Sequence, residues 1–285
     1  MKIVFLGTGT SHGVPPLDCM MDDYVRCKRD VCRLSQSDPK HARTRSSLFV
    51  EWNGVNICID VSLDFRQQAL REKIKRIDAV LITHGHADHI GGIPDLRSYT
   101  RPKVPAPQKR DCLKMQASTG TKPVEALPLY GSPETIGSIR RSYGYIFEPG
   151  TFEGGGIPRI DTREVRGTFE VSGNRVAPIA VRHGDLGGCL GYRLGPLVYI
   201  PDMKSITDAE AQKCAGAELL VLNCLRVERE HVSHLILPES MALARRIGPK
   251  RCYFIHMCHD IHYKTHSETL DSWMGFSFDG MAVEL

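Results

Sequence analysis

Short runs of aliphatic and β-branched residues recur along the chain and are separated by turn residues. The opening run over 2–6 ends in a glycine-rich turn at Gly7–Thr10. The apolar alternation over 46–60 is interrupted by Asn53-Gly54, which predicts a β-hairpin. Further strands are predicted at 78–83, 128–130, 164–181 (with a turn at 172–174), 190–194, 197–200, 218–222, 251–255 and 283–285.

Helical periodicity is weaker and falls between these runs. It predicts helices over 64–75, 132–143, 208–214 and 238–247, with Ser132 as an N-cap and Gly248 ending the last helix. The stretch 100–127 has no period and is interpreted as an irregular loop. Helices alternate loosely with strands, and several strands follow one another in hairpins. That mixture favours an α/β fold with a sheet sandwich flanked by helices over a doubly wound sheet.

Composition is that of a globular protein, with 285 residues, 41% hydrophobic and 25% charged. No apolar run approaches the ~20 residues that span a membrane, and the N-terminus has the pattern of a strand rather than of a signal peptide. We therefore expect a cytoplasmic protein with no membrane partner. The net charge of +4 is too small to indicate nucleic-acid binding. Residues 101–125 carry six cations and two acids, so a basic loop that attracts anionic substrates and an ordinary solvated loop are both open.

The densest chemistry lies directly after the strand predicted at 78–83. His84, His86, Asp88 and His89 form the pattern H-x-H-x-D-H. Imidazole and carboxylate ligands suit zinc, and also manganese or iron. Four such ligands within six residues can serve two adjacent ions, which together can share a bridging hydroxide as nucleophile. A chance polar loop is the alternative to a metal site.

The H-x-H-x-D-H pattern resembles that of the metallo-β-lactamase superfamily. The resemblance implies an αββα four-layer sandwich with the metals at one edge between two sheets. It also implies three later ligands, and His183, Asp202 and His256 each follow a predicted strand. The implied sites are His84, His86 and His183 for one ion, and Asp88, His89 and His256 for the other, with Asp202 shared and Asp88 also catalytic. We expect one domain over 1–285, with a Cys-rich insertion at about 17–45 and a loop and helix insertion at about 100–160.

The first fifty residues narrow the resemblance to a subgroup. Gly7–Pro15, the three cysteines Cys19, Cys27 and Cys32, and Ala42–Ser47 resemble the subgroup that contains the phosphoribosyl cyclic-phosphate phosphodiesterases. In that subgroup three cysteines and a late histidine hold a structural zinc, and the late histidine here would be His259. The cysteine spacing is wider than in those relatives, so Cys258 is an alternative ligand. The quinone-biosynthesis relative shares this opening but departs from the histidine-rich pattern, which this chain retains.

His234 is the candidate general acid, by resemblance to the phosphodiesterase members, and His231 competes for that role. The resemblance therefore implies a phosphodiesterase that cleaves a small anionic phosphate ester, linear or cyclic, with two divalent ions (zinc or manganese) and a structural zinc. The alternative is metal-dependent hydrolysis of a carboxyl derivative, a lactone or thioester. Only 18 residues separate His183 from Asp202, which leaves no room for the long arm of ribonuclease Z. By analogy with these relatives, formation of a homodimer is one of the alternatives for the oligomeric state.

Overall fold

The computed structural model describes residues 1–100, 126–148, 150 and 156–285, and its strands form two sheets. The strands are β1 (Lys2–Gly7), β2 (Ser47–Trp52), β3 (Val55–Ile59), β4 (Ala79–Leu81), β5 (Leu127–Gly131), β6 (Ile160–Glu164), β7 (Phe169–Val171), β8 (Asn174–Ala180), β9 (Leu190–Leu194), β10 (Leu197–Ile200), β11 (Leu219–Asn223), β12 (Arg251–Ile255), β13 (Met274–Phe276) and β14 (Ala282–Glu284). The helices are α1 (Leu17–Met21), α2 (Val31–Leu34), α3 (Phe65–Arg71), α4 (Ala87–Ile90), α5 (Pro133–Ser142), α6 (Gly144–Phe147), α7 (Asp208–Gln212), α8 (Leu237–Ile247) and α9 (Tyr263–Ser267), with a 3₁₀ helix at Ile93–Ser98.

Each sheet has seven strands and mixes parallel with antiparallel pairs. The first has the order β14-β1-β2-β3-β4-β5-β6, and the second has the order β13-β12-β11-β10-β9-β8-β7. Strands β3 to β6 are parallel neighbours, and so are β10 to β13. Because parallel strands end at the same edge, the loops after β4, β10 and β12 are placed to converge.

Three apolar cores hold the layers of sheets and helices together. Alternate residues of both sheets meet in the central core, where Phe5, Ile57 and Leu81 of the first sheet pack with Tyr199 and Val221 of the second. The other face of each sheet is covered by helices. A second core joins β10–β13 to α8, and a third joins β1–β5 to α3, α5 and the 3₁₀ helix. The result is the αββα four-layer sandwich that the sequence implied.

The predicted hairpin is confirmed, with Asn53 and Gly54 both at positive φ (48° and 78°) between β2 and β3. Ser132 caps α5 as predicted, because its side chain accepts a hydrogen bond from the Thr135 N–H. The helix predicted over 64–75 ends at Arg71, since Lys73 adopts a positive φ. Its predicted length was wrong.

Both predicted insertions contain regular structure. The Cys-rich segment holds α1 and α2 around a small core of Val14, Val31 and the cysteines. Within 100–160 the structure has β5, α5 and α6, and most of the predicted irregular loop at 100–127 lies outside the described residues. The single domain over 1–285 stays a prediction. None of the helices in the described part of the chain is both long and apolar enough to cross a bilayer.

Candidate metal centre

The seven ligand candidates follow four strands that end at one edge of the sandwich. His84, His86, Asp88 and His89 lie after β4, the last two on the short helix α4. His183 follows β8, Asp202 follows β10, and His256 follows β12 directly. His256 has a positive φ of 60°, a conformation that costs energy in a non-glycine residue and is found most often at functional sites.

One cluster consists of His84, His86, His183 and Asp202. One ligand atom of each lies within 4.8 Å of the others. Nε2 of His84 is 3.0 Å from Nδ1 of His86 and 3.6 Å from Oδ2 of Asp202. Nε2 of His183 is 3.7 Å from the same carboxylate oxygen. His86 is the exposed member, and the other three are buried.

The second cluster consists of Asp88, His89, His256 and the same Asp202, and all four are buried. Nε2 of His89 lies 3.3 Å from Asp88 Oδ2 and 3.4 Å from Asp202 Oδ2. Nε2 of His256 lies 3.1 Å from Asp202 Oδ1. The two oxygens of Asp202 thus face both clusters, which is the arrangement of a carboxylate shared by two ions.

Asp60 fixes the orientation of two of these imidazoles. Its fully buried carboxylate accepts from Nδ1 of His89 (2.8 Å) and from the backbone N–H and hydroxyl of Thr83. Because the hydroxyl hydrogen of Thr83 goes to Asp60, its oxygen accepts from Nδ1 of His84 at 3.1 Å. Both rings therefore carry the proton on Nδ1 and turn Nε2 into the cluster, as metal-binding histidines do.

A backbone carbonyl does the same for the ring of His183. Its Nδ1–H donates to the carbonyl oxygen of Ser233 at 2.9 Å, which leaves Nε2 free. Burial lowers the pKa of His183 to about 4 and the pKa of His84 well below its ordinary value. Both imidazoles are therefore neutral at physiological pH, the form that binds a metal.

Unsatisfied polar atoms show that this centre fits a metal. His89 Nε2, His256 Nε2 and Asp202 Oδ1 are buried and have no hydrogen-bond partner in the described part of the chain. Such atoms are costly unless something else satisfies them. Divalent ions at both clusters would do so, and imidazole with carboxylate is a donor set suited to zinc or manganese.

His234 lies against the ligands without belonging to either four-residue group. Its ring stacks on His256 (centroids 4.8 Å apart) and meets His183 edge-on at 4.6 Å. Its Nε2 lies 3.5 Å from Asp202 Oδ2. Burial lowers the pKa of His234. His231 is one layer further out, with its Nδ1 3.1 Å from Nδ1 of His234.

The Cys-rich segment brings a third group together. Nδ1 of His259 is 3.1 Å from Sγ of Cys19 and 3.2 Å from Sγ of Cys32, and these three residues form a potential metal site. Cys27 is not in that group. Its Sγ accepts from the backbone N–H of Cys32 and lies 4.0 Å from the carbonyl oxygen of His259. Cys258, the alternative, accepts at Sγ from the N–H of Asp260.

Comparison with known proteins identifies the family. The model of the β-lactamase superfamily domain matches residues 55–257, well over half of the chain. A crystal structure of a diphosphatase from the PhnP family superposes with a TM-score of 0.81 and 32% identity, covering 100% of this chain and 97% of that one. This chain belongs to the β-lactamase superfamily, in its PhnP family.

Two curated relatives of this superfamily protein are also informative. An octanoyltransferase of Porphyromonas gingivalis is 32% identical over 99% of this chain but only 51% of its own length, so the chain spans about half of that relative. A ribonuclease Z of Bradyrhizobium is 27% identical over 74% of this chain and 82% of its own. The family model and the superposition therefore establish the superfamily and the fold of the chain.

A cavity of about 330 Å³ lies beside the Cys-rich segment. His12, His231, His234, Arg226 and Cys258 are among its lining residues. A larger cavity of about 960 Å³ is lined by residues of β5 and β6. Neither lining includes any of the seven ligand candidates of the two clusters, but the smaller cavity adjoins His234, which packs against two of them.

Two histidines outside the metal clusters are also buried. His41 donates from Nδ1 to Asp38 and accepts at Nε2 from the N–H of Tyr263. His266 accepts at Nδ1 from the N–H of His262. Both are satisfied structural histidines beneath the Cys-rich segment. No local sequence pattern indicates this burial, because the segments that cover them come together only in three dimensions.

Proposed function

We propose that this protein is a phosphodiesterase that cleaves a small phosphate ester, linear or cyclic, with two divalent ions of zinc or manganese. His84, His86 and His183 would hold one ion. Asp88, His89 and His256 would hold the other, and Asp202 would be shared. When bound, these ions would neutralise phosphoryl charge and lower the pKa of a nucleophilic water.

The observation that carries the proposal is the position of His234. It is packed between two ligand histidines and turns Nε2 toward Asp202, yet both ligand groups are complete without it. A histidine so placed can give a proton to a leaving alkoxide, and such an acid contributes about 10²–10⁴-fold. The alkoxide that leaves a phosphodiester needs that proton more than the thiolate that leaves a thioester.

The contacts of His231 support His234 as the general acid. The Ser233 N–H donates to Nδ1 of His231, so this nitrogen is an acceptor. Nδ1 of His234 can therefore donate to His231 at 3.1 Å or to the Ser233 hydroxyl at 3.1 Å. We assign His234 as the general acid: in its imidazolium form it keeps one proton on Nδ1, toward His231 or Ser233, and carries the transferable proton on Nε2, which faces the centre and Asp202.

Several other features agree with a small anionic substrate. The cavity of about 330 Å³ is at the small end of the range for ligand sites. Relatives in this superfamily include a diphosphatase and a ribonuclease, and both names denote enzymes acting on phosphate linkages. The octanoyltransferase name is not carried over, because about half of that relative lies outside the match.

We also propose a structural zinc held by Cys19, Cys32 and His259, with Cys27 as the fourth ligand. The Sγ of Cys27 lies beside this group, where it accepts from the backbone N–H of Cys32 at 3.3 Å. Burial raises the pKa of the Cys19 thiol, so without a cation both cysteines of the group stay protonated. A closed Cys₃His set is typical of structural rather than catalytic zinc.

The test is hydrolysis of bis(p-nitrophenyl) phosphate by zinc- or manganese-loaded protein. We expect metal-dependent turnover of this substrate, whose p-nitrophenolate leaves with little need for a proton. With an alkyl phosphodiester, whose leaving alkoxide needs the proton, turnover should fall at least ~10²-fold in His234→Ala. A smaller fall, about tenfold, is expected in His231→Ala, since that change removes a hydrogen bond and not the proton. A larger effect of His231→Ala than of His234→Ala would reverse the two assignments.

The carboxyl-ester alternative is tested on the same preparation with a lactone and a thioester. Protein shown to hold its metals that hydrolyses either of these faster than the diester, with no loss in His234→Ala, would replace the phosphodiesterase proposal by that alternative.

A further inference from the structure

Arg43 is one of the largest side chains that the structure buries completely, with 2% of its surface exposed. Its Nη1 donates to the carbonyl oxygen of Cys258 at 2.9 Å, and its Nη2 donates to that of Ile261 at 2.7 Å. Its Nε has no hydrogen-bond partner in the described part of the chain. The buried, positively charged guanidinium thus donates its two hydrogen bonds to neutral backbone oxygens.

The described residues offer this cation no carboxylate in contact. Asp279 is the one carboxylate among the groups with the largest effect on the pKa of Arg43, and it accepts instead from Thr8 and Thr44. The other groups that act on the charge are thiols, those of Cys258, Cys224 and Cys32. An unpaired buried charge costs several kcal/mol unless something nearby offsets it.

The loop that Arg43 holds belongs to both candidate metal sites. His256 is a ligand candidate of the shared-carboxylate centre, and His259 is a ligand candidate of the cysteine group three residues later. The two carbonyls that accept from Arg43, at 258 and 261, flank His259. The strained φ of His256 needs such support from its surroundings.

We propose that Arg43 is a positioning residue that couples the two sites, so that a metal in the cysteine group strengthens metal binding at the centre containing His256. This inference rests on the proposal that both sites bind divalent ions. A divalent ion with three thiolates and a neutral imidazole carries a net charge of about −1, which offsets the guanidinium. That attraction holds Arg43 on the loop, and the loop holds His256 in its ligand conformation.

The experiment uses full-length protein loaded with cobalt. Thiolate-to-cobalt charge-transfer absorption reports the cysteine group, and total cobalt by mass spectrometry then gives occupancy of the histidine and aspartate sites. The quantity measured is the chelator concentration that removes half of the cobalt from those sites. Cys32→Ser, which disables the cysteine group, is expected to lower it about 5- to 150-fold, the usual range of coupling between sites.

Arg43→Met tests whether the coupling passes through this side chain. Alone, this variant is expected to lower the half-removal concentration of chelator by a similar factor. The double variant with Cys32→Ser should differ from Arg43→Met by less than about threefold. The matched control is Arg45→Met, since Arg45 pairs with Asp64 and has no contact with the 256–261 loop. It should stay within about threefold of the wild type.

An unchanged half-removal concentration in Cys32→Ser would overturn the proposal, whatever the behaviour of Arg43. So would fully additive losses in the double variant, or equal effects of Arg43→Met and Arg45→Met. If circular dichroism shows that Arg43→Met is unfolded, Arg43→Lys replaces it. That variant keeps the charge but reaches one carbonyl, so it should recover part of the wild-type value. Loss of diester turnover with coupling intact would instead reject the phosphodiesterase proposal and leave this one standing.

Discussion

Replacement of Asp60 by asparagine should weaken metal binding without disturbing the backbone. Asp60 lies at a positive φ of 60°, a conformation that asparagine tolerates. Its two carboxylate oxygens accept from Thr83 and from Nδ1 of His89. An amide has one acceptor oxygen, so its NH₂ must face one of these two donors.

The two orientations of the amide are not equivalent, because one of the two donors cannot become an acceptor. The Thr83 N–H belongs to the backbone and cannot change, so the amide oxygen should face it. The NH₂ group then faces His89, whose Nδ1 must become an acceptor, and the ring proton moves to Nε2. That is the nitrogen aimed at Asp88 and Asp202. Loss of such an orienting contact costs about 10–100-fold in metal affinity, or roughly 1.4–2.7 kcal/mol.

The assay is competition for zinc between the protein and a chromophoric chelator. Asp64→Asn is the control, because it removes a half-buried carboxylate that pairs with Arg45 and makes no contact with either cluster. We expect less than about a threefold change in that variant. Wild-type affinity in Asp60→Asn, or equal losses in the two variants, would refute the tautomer reasoning.

Two further predictions concern stability and are checked by urea unfolding. Burial lowers the pKa of His41 below its ordinary 6.5, so the unfolded chain binds the extra proton first. Its contribution to stability is complete above the unfolded-state pKa of ~6.5 and is lost as the pH falls below that value. His41→Gln should reduce this loss at equal metal loading, and an unchanged slope would contradict the reasoning. Gly191→Ala should cost about 1–3 kcal/mol, because its Cβ would lie 2.7 Å from Cγ1 of Ile200. Gly167→Ala, with nothing within 4 Å, should cost far less, and similar costs for both would show that packing is not the reason.

Much of the fold could be predicted because its strands are locally encoded. The runs at 190–194, 197–200 and 251–255 were predicted with the same bounds that β9, β10 and β12 have. Their near-continuous apolar runs follow from burial on both faces of the sheet, which one sequence displays directly. The order of the strands within each sheet was not predicted, because it depends on pairing between segments far apart in the chain.

The missed elements share a physical cause. The helices α1, α2, α4, α6 and α9 are four or five residues long. Helices of that length show no full period in the sequence and are stabilised by tertiary contacts. The short edge strand β13 pairs with β12 alone and was missed for the same reason.

Within the candidate centre, residue spacing and predicted strand ends identified the ligand candidates but not the residues that orient their side chains. H-x-H-x-D-H is contiguous, so its grouping is visible in the sequence. The contact of His183 with the Ser233 carbonyl spans 50 residues, and the reach of Arg43 to Cys258 spans 215. Such contacts depend on how loops pack at the sheet edge, which no local pattern encodes.

The most direct test of the account is to titrate metal-free protein with zinc or manganese while following bis(p-nitrophenyl) phosphate hydrolysis. Asp202→Ala, which removes the carboxylate facing both clusters, is measured in parallel. The account predicts turnover that rises as the two clusters fill in the wild type, and a loss of at least ~10²-fold in Asp202→Ala at every metal concentration. Equal turnover in the two proteins, or none in fully loaded wild type, would contradict it.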